Sequence, residues 1–210
     1  MYKAEDVGPD VPRRGNWFTL MLGRLALRLW GWKIRGELPN VPKVVFVCAP
    51  HTSNVDGLVA AAVAMALKVR IKLMAKHTLF KPPFGGFMRW LGGLPIDRGA
   101  AGSVVDASVA KFAEYDQLWV GVAPEGTRHG TDQWKTGFYR IAEKAGIPIT
   151  LAVMDYGRRE VRFPLTLMPT GDLAADMAKI MACFKGVVGH RPDRMSAPLK
   201  ALNAESDDKS

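Results

Sequence analysis

The chain has 210 residues, of which 48% are hydrophobic and 23% are charged, as in a folded globular protein with a full core. Its net charge of +9 favours an anionic partner: a membrane surface, a nucleic acid or a phosphorylated substrate. Two cysteines are too few for a disulfide framework, and neither they nor the four histidines have the spacing of a metal site.

The first 36 residues are predicted to form a membrane-association segment with an amphipathic helix. Residues 11–36 contain basic but no acidic side chains, and Arg24, Arg28, Gly31 and Arg35 recur at helical spacing. Leucines and tryptophans fill the rest of the circumference, as in a helix that lies in a membrane interface, and residues 13–35 would make this contact. An ordinary helix packed on the core is the alternative. No apolar run reaches the ~20 residues of a membrane span.

Residues 37–190 are predicted to form one α/β domain, in which helices flank a mostly parallel central sheet. Strands are predicted at 43–49, 71–75, 94–96, 118–122 and 148–154, with a further strand over 159–167; helices are predicted over 56–68, 102–115 and 134–145, and a last one from Leu173 to Phe184. The alternation of the two patterns indicates the α/β class. The polar residues 191–210 are predicted to be a disordered tail.

The first candidate site begins where the strand over 43–49 ends. Pro50 breaks the apolar run, and His51 is followed five positions later by Asp56. The two side chains can meet if His51 lies in a loop and Asp56 in the first turn of the next helix, capped by Ser53 or Asn54. The carboxylate would then orient the imidazole as a general base requires. A purely structural histidine is the alternative.

The second candidate site, Pro124 to Arg128, follows the strand over 118–122. Gly126 permits a close backbone approach, and Thr127 and Arg128 offer a hydroxyl and a guanidinium that suit a phosphate. A surface turn with an internal ion pair between Glu125 and Arg128 is the alternative.

The third candidate site follows the strand over 94–96. Arg98 is a possible second phosphate contact, with a simple salt bridge to Asp97 as the alternative. Ligands in α/β proteins bind outside the carboxyl ends of the strands. Three polar strand ends in one sheet therefore favour a single pocket.

Several other mechanisms lack their motifs. The chain contains no GxSxG nucleophile motif and neither of the glycine-rich nucleotide-binding motifs. The tryptophans cluster with leucines at the N-terminus and are not interleaved with lysines, which argues against a nucleic-acid surface.

Taken together, these segments resemble the four motif blocks of the glycerolipid acyltransferase family, the PlsC-like enzymes typified by lysophosphatidic acid acyltransferase. His51 to Asp56 is similar to the HxxxxD block, and Lys76 to Arg98 is similar to the second block. Pro124 to Arg128 matches the third, and Ile147 to Ile149 resembles the fourth. The blocks occur in the family's order over roughly residues 40–155.

The resemblance implies an O-acyltransferase. His51, oriented by Asp56, would take a proton from an acceptor hydroxyl, which then attacks the thioester of acyl-CoA or of acyl carrier protein. Neither a cofactor nor a metal is implied. The predicted substrate-binding residues are Lys76, Arg98, Glu125, Gly126, Thr127 and Arg128.

The expected acceptor is a lysophospholipid, foremost 1-acylglycerol-3-phosphate, and the expected location is peripheral, at the cytoplasmic face of a membrane. Another lyso-lipid, such as an amino-acid lipid, is an alternative acceptor. A non-catalytic lipid-binding protein is the alternative of another class, since binding alone does not need the pair of His51 and Asp56.

Overall fold

One mixed sheet of eight strands organises the structure, a computed structural model that describes residues 2–83, 85–90, 92–96 and 104–207. The strands are β1 (Lys33–Gly36), β2 (Lys43–Ala49), β3 (Ile71–Lys76), β4 (Gly93–Ile96), β5 (Leu118–Val122), β6 (Ile149–Asp155), β7 (Glu160–Phe163) and β8 (Thr166–Leu167). Their order is β1-β7-β6-β2-β5-β3-β4, and β8 pairs with β6. The pairs of β6 with β7 and β8 are antiparallel and the other pairs are parallel, so the predicted sheet is confirmed.

Helices cover both faces of this sheet. They are α1 (Trp17–Leu29), α2 (Asn54–Leu67), α3 (Gly85–Trp90), α4 (Val104–Glu114), α5 (Gly137–Ala145), α6 (Leu173–Ala182) and α7 (Ala197–Asp207). On one face, Leu27 of α1 and Val59 of α2 pack over Phe46. On the other face, Phe112, Phe138 and Ile180 join the second half of the core. Burial from both sides explains why the central strands read as continuous apolar runs.

Helix α1 confirms the predicted N-terminal amphipathic helix but is shorter than the pattern indicates. It ends at Leu29, and Gly31 then adopts a φ of +72°. Arg35 therefore lies in β1, opposite Arg162 of β7. Gly23 lets α1 approach α2 closely, because a Cβ atom there would lie 2.7 Å from the carbonyl oxygen of Ala62. Among the described helices, none has the length and apolar character needed to cross a membrane.

The predicted disorder from residue 191 is wrong over the part of that segment that the structure describes. A 3-10 turn (Pro192–Arg194) and helix α7 follow β8 and α6. Met195 and Leu199 are buried in the core, and Trp134 donates a hydrogen bond from Nε1 to Ser196 Oγ at 3.0 Å. The segment from residue 191 is polar on average, yet its few apolar side chains pack in the core and hold it in place.

Candidate active site

Three neighbouring strands carry polar residues to one edge of the sheet. β5 and β6 lie on either side of β2 and run parallel to it. Their carboxyl ends therefore lie together, and His51, Glu125 and Tyr156 follow these ends within a few residues. This is the edge at which α/β proteins bind ligands.

His51 and Asp56 meet as their spacing predicts. Ser53 caps α2 by accepting a hydrogen bond from the backbone N–H of Val55 at 3.0 Å, so Asp56 lies in the first helical turn and His51 in the preceding loop. Nδ1 of His51 lies 3.4 Å from Oδ2 of Asp56. The imidazole is partly exposed, whereas the Asp56 side chain is fully buried. A buried carboxylate thus holds an imidazole that the solvent can reach.

Each oxygen of Asp56 has its own donors. Oδ2 accepts hydrogen bonds from the backbone N–H groups of Thr52 and Ser53 at 2.6 and 2.8 Å. Oδ1 accepts one from the Tyr156 hydroxyl at 2.7 Å. Burial alone would raise the pKa of Asp56, but the interactions with His51, Tyr156 and the backbone outweigh it and hold the pKa below its usual value. Asp56 therefore remains a carboxylate beside the imidazole.

Glu125 lies against the same loop. It is 4% exposed, and Oε1 accepts a hydrogen bond from the His51 backbone N–H at 3.2 Å. Oε2 is buried and has no hydrogen-bond partner among the described residues. Burial raises the pKa of Glu125 to about 7. Glu125 thus connects the loop after β5 to the His51 loop and is not half of a surface ion pair.

The loop after Glu125 carries two cations, one beside α2 and one beside Gly126. Arg128 Nη1 donates a hydrogen bond to Asn54 Oδ1, at the start of α2. Gly126 has a φ of +65°, and a Cβ atom there would lie 2.9 Å from Lys135 Nζ. The Thr127 hydroxyl accepts a hydrogen bond from the His129 N–H within the turn. Arg128 and Lys135 therefore make this side of the loop positively charged.

For two predicted residues, Lys76 and Arg98, the structure describes less. Lys76 is the last residue of β3, which runs parallel to β5, so its backbone lies at the same edge of the sheet. Arg98 lies outside the described residues, and so does Asp97.

The sequence analysis missed Tyr156, Lys135 and a contact between Arg191 and the His51 loop. The Thr52 hydroxyl accepts a hydrogen bond from the Arg191 N–H at 3.1 Å. The Tyr156 ring packs between Trp32 and His190, at 4.8 and 5.1 Å between ring centroids. A polar residue shortly after a buried strand marks His51 and Glu125 in the sequence, and it also marks Tyr156 after β6. No such local signal marks Lys135 or Arg191.

The side chains present at this edge of the sheet limit the chemistry that it can perform. In the described part of the chain, no group of three His, Cys, Asp or Glu side chains is placed to hold a metal ion. Burial raises the pKa of Cys48 to about 12, so this thiol stays protonated and is a poor nucleophile. The chemistry available at this edge is that of an imidazole held by a carboxylate, next to cationic side chains.

Comparisons with known proteins agree with this reading of the chain. The family model described as Acyltransferase matches residues 33–154. The crystal structure of the 1-acyl-sn-glycerophosphate (LPA) acyltransferase PlsC from Thermotoga maritima superposes with a TM-score of 0.51, at 19% sequence identity, over 78% of this chain and 73% of that one. This likeness shows a shared fold. No curated protein sequence matches the chain.

The family match covers β2, α2, β5 and the loops that carry His51 and Glu125. It begins at the first residue of β1 and ends within β6, and it includes His51, Asp56 and Glu125. Because it extends over more than half of the sequence, the chain belongs to the acyltransferase family.

Proposed function

We propose that this protein transfers a fatty acyl chain from a thioester to the hydroxyl of a lysophospholipid, with 1-acylglycerol-3-phosphate as the foremost acceptor. The observation that carries the proposal is the 3.4 Å contact between His51 Nδ1 and the buried carboxylate of Asp56. It stands at the ligand-binding edge of the sheet in a member of the acyltransferase family.

In the proposed reaction, His51 is the general base. With its Nδ1 proton directed at Asp56, the imidazole has a lone pair on Nε2 for the proton of the acceptor hydroxyl. The acceptor oxygen attacks the thioester carbonyl carbon, so that a C–O bond forms and the C–S bond breaks. The leaving thiolate takes the proton from Nε2. This sequence needs no covalent acyl-enzyme, and the donor is acyl-CoA or acyl carrier protein, with no cofactor.

The charges beside the imidazole support an anionic acceptor. Arg128 is held against Asn54, and Lys135 lies over Gly126, so a phosphate near the His51 loop would meet two cations. The Thermotoga maritima enzyme, whose fold this chain shares, is named for 1-acyl-sn-glycerophosphate. We expect Arg98 and Lys76 to add to this acceptor site.

The exposed surface of α1 supports a location at a membrane. Six large apolar side chains are exposed along one side of α1: Trp17, Phe18, Met21, Leu22, Leu25 and Leu29. Trp30 and, from α2, Val55 and Leu58 are also exposed. We call these nine residues the exposed apolar face. So many large exposed apolar side chains on two helices that pack together are unusual for a surface that meets only water.

This face ends beside the proposed catalytic residues, because Val55 directly precedes Asp56 in α2. A protein lying on the bilayer through this face would therefore receive its acceptor from the membrane without exposing the acyl chain to water. The net charge of +9 favours an anionic leaflet. We accordingly propose a peripheral protein at the cytoplasmic face.

Acyl transfer to defined acceptors tests the proposal. Purified protein would be given oleoyl-CoA or oleoyl acyl carrier protein with 1-oleoyl-glycerol-3-phosphate, lysophosphatidylcholine or an amino-acid lyso-lipid in mixed micelles. Thiol release and the product lipid would be measured together. We expect transfer to the phosphate acceptor, and a loss of at least about 1000-fold in His51→Ala if proton abstraction limits the rate.

His129→Ala is the matched control, because His129 is an exposed histidine in the loop that also contains Glu125 and Arg128. It should keep nearly full activity. If His51→Ala transfers acyl chains as fast as the wild type, the assigned base is wrong. If the protein binds these lipids and acylates none of them, it is a lipid-binding protein.

A further inference from the structure

A short segment near the C-terminus, Val188 to Arg191, lies against the His51 loop, and we call it the C-terminal strap. It follows α6 and lies beyond residue 154, where the family match ends. At one end, the Val188 carbonyl accepts a hydrogen bond from the Tyr156 N–H at 2.8 Å. At the other end, the Arg191 N–H donates to the Thr52 hydroxyl at 3.1 Å. The strap thus connects the end of β6 to the loop after β2.

Both residues that the strap holds are hydrogen-bond donors to Asp56. The Tyr156 hydroxyl donates to Oδ1 at 2.7 Å, and the Thr52 N–H donates to Oδ2 at 2.6 Å. Thr52 and Asp56 are buried, so these hydrogen bonds form away from water. One segment therefore fixes a donor to each oxygen of the carboxylate that faces His51.

Gly189 lets the strap lie this close to the loop. The residue is buried, and a Cβ atom there would lie 3.1 Å from Cγ2 of Thr52, 3.2 Å from Cγ of Met195 and 3.4 Å from Cβ of Pro50. Its φ lies outside the left-handed region, so the close approach, and not the backbone conformation, calls for glycine here. The packing between strap and loop is therefore tight enough to respond to a single methyl group.

The strap is itself anchored on both sides. Phe184 and Val187, which precede it, are fully buried in the core. After it, Met195 is buried, and the Ala197 N–H donates a hydrogen bond to the Thr131 carbonyl, in the loop after β5, at 2.8 Å. These anchors leave the strap little freedom to move away from the His51 loop.

We infer that the strap is a positioning element for acyl transfer, with Thr52 and Gly189 as its positioning residues. It acts through Asp56, because the donors that it fixes determine where the carboxylate lies relative to Nδ1 of His51. The inference rests on the proposed role of His51 as the general base. A carboxylate held in place before the reaction needs little reorganisation when the imidazole takes up a proton.

Steady-state kinetics of Thr52 variants tests the hydrogen bond to the strap. Thr52→Val keeps the shape of the side chain but removes the acceptor for the Arg191 N–H, so kcat should fall about tenfold while KM for the acceptor stays nearly unchanged. Thr52→Ser keeps the hydroxyl and should recover most of the rate. Thr150→Val is the matched control, because Thr150 is also a buried threonine and its hydroxyl is hydrogen-bonded to Thr166 at 2.9 Å. It should keep the wild-type kcat.

Gly189→Ala tests the packing of the strap on the loop. The added methyl group must displace Thr52 or the strap slightly, so kcat should again fall without a change in KM. In Thr52→Ser/Gly189→Ala, the Cγ2 atom that the methyl group meets is gone, and part of the rate should return. Gly137→Ala is the control, since a Cβ atom at Gly137 would meet open space among the described residues.

The tautomer of His51 gives a measurement that needs no turnover. Nitrogen chemical shifts of isotopically labelled histidine, recorded at alkaline pH and assigned with His51→Gln, show which ring nitrogen carries the proton. The wild type should have the proton on Nδ1, because Nδ1 faces Asp56. In Thr52→Val and Gly189→Ala the population should shift towards the form with the proton on Nε2, whereas both control variants should match the wild type.

The two measurements separate failure of the inference from failure of the proposed function. If Thr52→Val and Gly189→Ala keep the wild-type kcat and tautomer, even with lower stability in urea, the strap has only a structural role and the inference is overturned. If the tautomer shifts in these variants but the wild type acylates no acceptor, the strap positions the imidazole as inferred and the proposed function is wrong.

Discussion

The Tyr156 hydroxyl donates a hydrogen bond to Oδ1 of Asp56 at 2.7 Å, while Oδ2 of the same carboxylate lies 3.4 Å from Nδ1 of His51. Two elements far apart in sequence thus hold one carboxylate from opposite sides. The aromatic ring is itself held by Trp32 and His190. Tyr156 is therefore placed to orient Asp56 and, through it, the imidazole.

Tyr156→Phe should lower kcat about tenfold and leave KM for the acceptor nearly unchanged. A hydrogen bond to a charged group contributes about 1.5–3 kcal/mol, and part of that energy would be lost from the orientation of His51. The pH profile of kcat should shift with it, because Asp56 would lose a donor that favours its charged form.

Tyr139→Phe is the matched control for this change. Tyr139 also donates its hydroxyl hydrogen bond to a buried aspartate, Asp176, at 3.0 Å, and neither of these two residues belongs to the proposed site. It should lower the free energy of unfolding by about 1 kcal/mol without changing kcat. Wild-type kcat and an unshifted profile in Tyr156→Phe would exclude the orienting role.

Glu125 should make stability depend on pH. Burial raises its pKa from the ordinary value of 4.5 to about 7. The folded protein therefore keeps this proton where the unfolded chain has released it, so the contribution of Glu125 to stability is largest below pH 4.5 and is lost as the pH rises through about 7. Glu125→Gln stays neutral and keeps an oxygen for the His51 N–H.

We therefore expect the stability of Glu125→Gln relative to the wild type to increase by up to about 3 kcal/mol between pH 4.5 and pH 8. Urea unfolding at several pH values measures this difference. A difference that is the same at every pH would show that Glu125 titrates normally. Glu114→Gln, at an exposed glutamate, is the control.

Arg128 should affect use of the acceptor more than the chemical step. Arg128→Ala is expected to raise KM for a phosphate-bearing acceptor about tenfold or more, because a charge-assisted contact is removed. Arg128→Lys should recover only part of this, since an ammonium group cannot replace the guanidinium contact with Asn54 as well as bind the phosphate.

Steady-state kinetics against acceptor concentration separates KM from kcat in these variants. Arg140→Ala removes an exposed arginine of α5 and should behave like the wild type. A fall in kcat at saturating acceptor as large as that of His51→Ala, with KM unchanged, would contradict the assignment of Arg128 to acceptor binding.

The exposed apolar face should determine binding to vesicles. Phe18→Ser/Leu25→Ser removes two large exposed side chains. Burying each in a bilayer contributes about 1.5–3 kcal/mol, so partition into anionic phospholipid vesicles should fall at least tenfold. Sedimentation with vesicles measures this partition.

Met168→Ser is the control, because Met168 is also an exposed large apolar residue but lies after β8. It should bind vesicles like the wild type. Raising the salt concentration should weaken only the electrostatic part of binding. Unchanged partition of the double serine variant would assign the exposed apolar face to another partner.

Leu199 should contribute to stability as a core residue. Its side chain is fully buried, although it lies in the segment for which the sequence predicts disorder. Leu199→Ala is expected to lower the free energy of unfolding by about 2–5 kcal/mol. Ala201→Ser, at an exposed position of the same helix, should change it little. Equal stability of the two variants would favour the disordered tail.

The central sheet and half of the site can be predicted from local pattern alone. Strands β2, β5 and β6 are buried on both faces, so each is a short apolar run, and polar residues directly after it mark the ligand edge. The loop from His51 to Asp56 forms through its own capping hydrogen bonds, which lie within a few residues of one another. The buried strands and the capped loop each depend on residues close together in the sequence, so local sequence patterns can predict them.

The remaining features depend on contacts between distant segments. β1 is an edge strand that continues a helical pattern, and it forms because it pairs with β7, more than a hundred residues away. Tyr156 reaches Asp56 only because β6 lies beside β2. Leu199 is buried although the segment from residue 191 is mostly polar. It packs in the same core cluster as Trp134, which also holds Ser196 through a hydrogen bond. Packing between distant segments, which no local pattern records, decides such positions.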